Sequence, residues 1–118
     1  MNNAFASPVR FTDRHTIVAM PVEIDIHNRD ELVESMFGLL TSGSGVLVVD
    51  MTGTDFCDSS GVHALLRTHR RAQARGWEIC VVAPHHNVRR VLEICGIGRV
   101  MPIHHTLDQA APHRPAVA

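Results

Sequence analysis

Apolar residues occur along this chain in short blocks that alternate between two spacings. Val46-Leu47-Val48-Val49 is an unbroken run that ends at Asp50. Four adjacent apolar residues suit a strand buried on both faces, so this segment, Gly45 to Asp50, is expected at the centre of a sheet. Ile17-Val18-Ala19-Met20, within His15 to Pro21, reads as a second strand. Glu78 to Ala83 reads as a third and is closed by Pro84. A shorter strand around Val9-Arg10-Phe11 can pair with Ile17–Met20 through the polar turn Thr12-Asp13-Arg14. Arg99 to Ile103 predicts a last short strand.

Between these blocks the spacing becomes helical. Leu32, Met36, Leu39 and Leu40 mark a first helix. Asn28 stands as its N-cap and Glu31 at the third helical position, as in a capping box. Thr41-Ser42-Gly43-Ser44-Gly45 stops it. A second helix runs from about Ser60 to Arg75, with Val62, Leu65, Leu66, His69 and Ala72 facing inward and Gly76 as its stop. Asn87 opens a third, with Val88, Val91, Leu92 and Cys95 on one face and Gly96 at its end. Thr106 can cap a short last helix, Leu107 to Ala111. Residues 1–8 read as an N-terminal extension, 9–111 as one domain and 112–118 as a flexible tail.

Strands alternating with helices need crossover connections. The expected fold is α/β: a mixed, mostly parallel central sheet with an N-terminal antiparallel edge. A chain of 118 residues has room for one core and too few helices to cover both sheet faces, so the helices should lie mainly on one.

Composition narrows the function. There are four Phe, one Trp and no Tyr, so the core must be aliphatic. A net charge of −1 argues against general affinity for nucleic acid or anionic membranes. No run approaches membrane-spanning length, and the start, MNNAFASPVRF, lacks the pattern of a signal peptide. Cys57, Cys80 and Cys95 form no Cys-x-x-Cys motif and read as reduced thiols, consistent with a cytoplasmic protein. All eleven basic residues are Arg, which excludes a Gly-rich phosphate loop with its Lys. The nine His do not suggest a metal site. His85-His86 and His104-His105 are adjacent pairs whose members point apart in a strand, and His63 and His69 lack the spacing that shares a helix face. His69 reads instead as a packed, hydrogen-bonded residue. Neither metal nor cofactor is expected. Gly-x-Ser-x-Gly is absent as well, so an enzyme is not expected.

The candidate chemistry lies in residues 50–61, DMTGTDFCDSSG. Ser59 and Ser60 fall where a buried strand hands over to a helix start. Free backbone N–H groups there favour negative charge, including a phosphate. The plainer role for either serine is helix capping, for which Ser60 is the better candidate. Asp58 can make a turn-stabilising contact and Asp25 can cap a loop. The outer face of the second helix carries His63, Arg67, Arg70 and Arg71. An acidic partner could read His63 and Arg67, which lie near the motif. Arg71 and Arg75 suit a solvated face with cations near the helix C-terminus.

Taken in order, several motifs resemble the STAS domain, and more narrowly the anti-sigma-factor antagonists. They are Val22-Glu23-Ile24-Asp25 after a strand, the central strand ending in Asp50, and Phe56-Cys57-Asp58-Ser59-Ser60-Gly61 before a small/apolar helix. Arg75-Gly76 precedes the next strand, and Val88-Arg89-Arg90-Val91-Leu92-Glu93-Ile94-Cys95-Gly96-Ile97 follows it. The resemblance implies a protein that, unphosphorylated, binds an anti-sigma factor that is also a Ser/Thr kinase, and so frees a sigma factor. Phosphorylation of the first Ser of the motif, here Ser59, would switch it off, and a PP2C-type phosphatase would restore it. Asp25, Asp58, Ser60 and Gly61 would surround the phosphosite. The chain departs from the pattern at Pro21-Val22, where a Gly is usual, at Val62, where Leu is usual, and at His63, where a small residue is usual. Two other readings are a STAS scaffold or transporter-regulatory subunit without phosphorylation, and an enzyme with Ser59 as nucleophile.

Overall fold

The computed structural model describes residues 8–41 and 43–112. Five strands form one sheet in the order β1 (Val9–Phe11), β2 (His15–Ala19), β4 (Val46–Asp50), β6 (Glu78–Val82) and β7 (Ile103–His104). β1 runs antiparallel to β2, and the other pairs are parallel. The expected α/β architecture is observed, with β4 at the centre. Leu47, Val48 and Val49 are fully buried there, because both faces of the strand meet apolar layers.

Alternation along β4 sorts its side chains. Leu47 and Val49 join the main core with Val18, Ile79 and Val81. That core is roofed by α1 (Arg29–Leu39), α2 (Ser59–Arg75) and α3 (His86–Ile94) through Leu32, Val33, Met36, Val62, Leu65, Val88 and Leu92. Val48 faces the other way, with Ile17, Cys80 and Val82, where α4 (Leu107–Ala110) is the one covering helix among the described residues. Three helices on one face and a single turn on the other match the expectation.

Several local readings change. Asn28 does precede α1, but it makes no side-chain cap. Its Oδ1 accepts from the Asp25 N–H at 3.1 Å and its Nδ2 donates to the Glu23 carbonyl at 2.8 Å, so the side chain is spent on the preceding loop and no capping box forms. α3 starts at His86, with Asn87 inside it, and lacks a side-chain cap. Cys95 is exposed rather than on the buried face. Gly96, at φ +82°, turns the chain into a 3-10 turn over Ile97–Arg99 that buries Ile97, so the last strand begins only at Ile103. On α2 the buried position belongs to Thr68, whose hydroxyl donates to the Ala64 carbonyl at 2.8 Å, and His69 is only half-buried. Thr106 caps α4 as expected, accepting from the Gln109 N–H. Residues 1–7 of the expected extension and 113–118 of the expected tail lie outside the described residues.

One element was not anticipated. β3 (Glu23–Ile24) and β5 (Phe56–Cys57) pair in parallel as a separate two-residue ribbon.

Leu47→Ala should lower stability by about 2–5 kcal/mol, the usual range for truncating a core leucine. Equilibrium denaturation by urea measures it, and a loss below about 1 kcal/mol would contradict the central place of β4.

Candidate functional site

The segment after β4 leaves the sheet under tight control. Asp50 accepts from the Thr52 N–H at 3.0 Å and from the Thr52 hydroxyl. The Met51 N–H donates to the Val82 carbonyl at 2.8 Å. Thr54 is fully buried, and its hydroxyl donates to the Pro21 carbonyl at 2.7 Å. These bonds lay residues 55–58 beside residues 22–25. Glu23 then pairs with Phe56, Ile24 pairs with Cys57, and the Asp58 N–H donates to the Ile24 carbonyl at 3.3 Å. Asp25 and Asp58 therefore leave the ribbon side by side.

Asp58 has extended backbone and is the N-cap of α2; its carboxylate accepts from the Ser60 N–H at 2.8 Å. The expected Ser60 cap is thus replaced. A carboxylate can accept that bond and also complements the positive end of the helix. The consequence for the serines is a division. Ser60 is buried, whereas Ser59, the first helical residue, is exposed and takes no part in the cap.

Gly61 explains how α2 seats so closely. A Cβ at this position would clash with Cys57 Sγ and stand 3.2 Å from Ile24 Cγ2. Only a residue without a side chain lets the first turn rest on the ribbon. The Cys57 thiol beneath it is pushed up to about 12 by burial, with the Asp58 carboxylate adding to the effect. Burial and then Glu78 push the Cys80 thiol up to about 11. Both are neutral, packed thiols with little thiolate character.

Asp25 organises the entry to α1. Its carboxylate accepts from the His27 N–H at 2.9 Å, and its carbonyl accepts from the N–H groups of Asn28 and Arg29 at 3.3 and 3.1 Å. This is the loop-capping arrangement expected of it. The loop delivers Arg29 to α2, where Nη1 lies 3.5 Å from Nδ1 of the exposed His63. Further along α2, Arg67 and Arg71 lie over the Phe37 ring at 5.7 and 4.6 Å from its centroid. Arg75 reaches the Leu40 carbonyl at 3.3 Å. Arg71 and Arg75, expected to be merely solvated, are thus tied to α1 and its C-cap.

Three apolar side chains near the motif were not read from the sequence as exposed. Val22, Ile26 and Phe56 are 58%, 55% and 48% exposed on the ribbon and its loop. Val22 and Phe56 are adjacent, since the Val22 carbonyl accepts from the Asp55 and Phe56 N–H groups. Val22 and Ile26 sit in irregular segments and Phe56 in a two-residue strand, all too short for periodicity to give a signal. The site is therefore an exposed hydroxyl at a helix start, flanked by two engaged carboxylates, a half-exposed apolar rim and a cationic helix. Among the described residues no three His, Cys, Asp or Glu side chains are grouped to hold a metal ion. No helix among them is long and apolar enough to cross a membrane.

Comparison places the chain among known proteins. The STAS domain family profile matches residues 6–110. The chain is 29% identical over 113 residues to the anti-sigma-F factor antagonist RsfA of Mycobacterium tuberculosis, covering 93% of this chain and 88% of that protein. Its fold is similar to that of an anti-sigma factor antagonist from Mycobacterium paratuberculosis, with a TM-score of 0.73 at 24% identity over 89% of each chain. It is also similar to SpoIIAA of Bacillus. The unphosphorylated form gives a TM-score of 0.71 at 21% identity, covering 89% of this chain and 92% of that one. The phosphorylated form gives 0.57 at 22%, covering 89% and 96%.

Gly61→Ala should cost about 1–3 kcal/mol, the usual penalty for overpacking. Because the clash is with one sulfur atom, Cys57→Ala should relieve much of it, and a double-mutant cycle should show coupling of at least about 0.5 kcal/mol. Additive losses would place the strain elsewhere. At pH 8, a thiol reagent should label Cys95 first and reach Cys57 and Cys80 only on unfolding. The two buried thiols also set an alkaline limit. Their folded-state values stand above the ordinary value of 9.0, so their contribution is full below pH 9 and declines as pH rises towards 11 and 12. Denaturation midpoints from pH 8 to 11 for wild type and Cys57→Ala check this, with the wild type expected to lose more.

Proposed function

The chain belongs to the STAS domain family, and we propose that within it the protein acts as an anti-sigma-factor antagonist switched by phosphorylation of Ser59. Unphosphorylated, it binds an anti-sigma factor that is also a Ser/Thr kinase, and the sigma factor held by that kinase is released. The observation that carries this reading is the division of labour at the start of α2. Asp58 performs the capping, so the exposed Ser59 hydroxyl is left for chemistry with a partner. The 29% identity to an anti-sigma-F factor antagonist over nearly the whole chain supports the same role.

In the switching step the Ser59 oxygen attacks the γ-phosphorus of ATP held by the kinase. The bond to ADP breaks, and the hydroxyl proton passes to a base on the kinase. The chain is the substrate of that reaction and acts by binding, with no catalysis of its own. The phosphate adds about 1.5–2 negative charges beside Asp58 and Asp25. The helix start tolerates that charge, so the effect falls on the partner surface. That surface is the rim of Val22, Ile26 and Phe56 together with His63 and Arg67. A PP2C-type phosphatase resets the switch by hydrolysing the ester. Partners of this kind place the protein in the cytoplasm.

Titration calorimetry against the candidate kinase tests the proposal. Wild type and Ser59→Ala should bind alike without ATP, because the substitution removes one exposed hydroxyl. With ATP, wild type should lose affinity and carry one phosphate, mapped to Ser59, while Ser59→Ala should hold its affinity. Ser59→Asp should fold and bind at least about tenfold more weakly, a difference of about 1.4 kcal/mol. Equal affinities in all forms would support a scaffold without a phosphoswitch instead.

A further inference from the structure

His63 stands four residues after Ser59, and residues at that spacing share one helix face. Helical side chains lean towards the N-terminus, so the imidazole covers the turn that Ser59 begins. Arg29, the first residue of α1, comes to the same place from the other helix, with Nη1 3.5 Å from His63 Nδ1. Both side chains carry N–H donors, so an anion set between them can accept from each. The neighbouring carboxylates already have donors. Asp58 accepts from Ser60 N–H, Asp25 from His27 N–H, and Asp30 from Arg29 Nε at 3.1 Å. With Arg29 Nη1 already against His63 Nδ1, Arg29 Nη2 and His63 Nε2 are the nitrogens with no hydrogen-bond partner among the described residues, and they can meet another anion. Arg67, one turn beyond His63, is held over Phe37.

We propose that Arg29 and His63 are the receiver for a phosphate on Ser59, so that the modified serine links the starts of α1 and α2. This rests on the phosphoswitch reading above and adds its internal partner. The phosphate occupies from within the chain the same cations that a partner's carboxylates would meet. Modification then removes an attractive contact as well as adding a repulsive one. Asp58 and Asp25 oppose the phosphate, and Arg29 and His63 offset them.

The test installs phosphoserine at position 59 during translation, so it needs no kinase. A phosphorus NMR titration then follows the phosphate in wild type, His63→Ala, Arg29→Gln and Arg29→Lys. Free phosphoserine takes up its proton near pH ~6. The wild-type midpoint should lie lower by about half a unit or more. His63→Ala and Arg29→Gln should each move it back up, and Arg29→Lys should fall between. The phosphate should also raise the melting temperature of wild type more than that of Arg29→Gln. One midpoint common to wild type and all three variants would overturn the receiver. Variant midpoints that rise above the wild-type value, with no kinase labelling of Ser59, would uphold the receiver while defeating the switch, so the two ideas fail separately.

Discussion

A sulfur atom resting on a bare Cα sets the geometry of the exposed Ser59 hydroxyl. Cys57 Sγ and Ile24 occupy the space that any side chain at position 61 would need. With glycine there, the first turn of α2 lies flat on the β3–β5 ribbon and its rotation about the helix axis is fixed. Ser60 must then point in and Ser59 out. The extended backbone of Asp58 follows from the same contact, because the chain must rise from the ribbon into the helix within one residue. A bulkier residue at 61 would tilt the helix start, and the cap and the hydroxyl would move with it.

The ribbon itself depends on the register of the central sheet. Ala19, Asp50 and Val82 are aligned across β2, β4 and β6, so all three strands release the chain at one edge. Parallel strands have this property, and here two of the exit segments pair with each other before their helices begin. Asp25 and Asp58 become neighbours through that pairing, although they are far apart in sequence. The buried Thr54 hydroxyl on the Pro21 carbonyl ties the two exits at their base. Burial without this bond would leave polar groups unsatisfied, which costs more than the bond itself is worth.

The parts of this architecture that were legible in the sequence share a physical cause. Runs such as Val46–Val49 have to be buried on both faces, and Gly76 and Gly96 at φ +78° and +82° end helices because side chains disfavour that conformation. The resemblance to the family located Ser59 by motif. What was not legible depends on contacts between distant residues. A ribbon of two-residue strands is too short to show a period. Asn28 looks like a cap, yet its side chain has better partners behind it. Asp58 takes the cap from two serines because it sits one residue earlier, at the point where the chain is extended. Thr68 fits the inner face better than His69 because it returns its hydroxyl to its own helix and leaves nothing unpaired.

Charge is distributed unevenly for a chain whose net value is −1. Residues 59–75 contain four Arg and no Asp or Glu, and the one ion pair among the described residues, Arg29–Asp30, lies on α1. The α2 cations are thus not neutralised by acids of their own fold. Arg67 and Arg71 are steadied instead by the face of Phe37, an interaction that orients a guanidinium without cancelling its charge. A side chain held in this way has less freedom to lose when a partner arrives, so more of its electrostatic attraction survives as affinity. The half-exposed Val22, Ile26 and Phe56 supply the apolar area that such a contact needs, close to the same helix start. An anion placed on Ser59 would enter between these two surfaces. It need not unfold anything to be felt, because His63 and the apolar rim it would border are exposed.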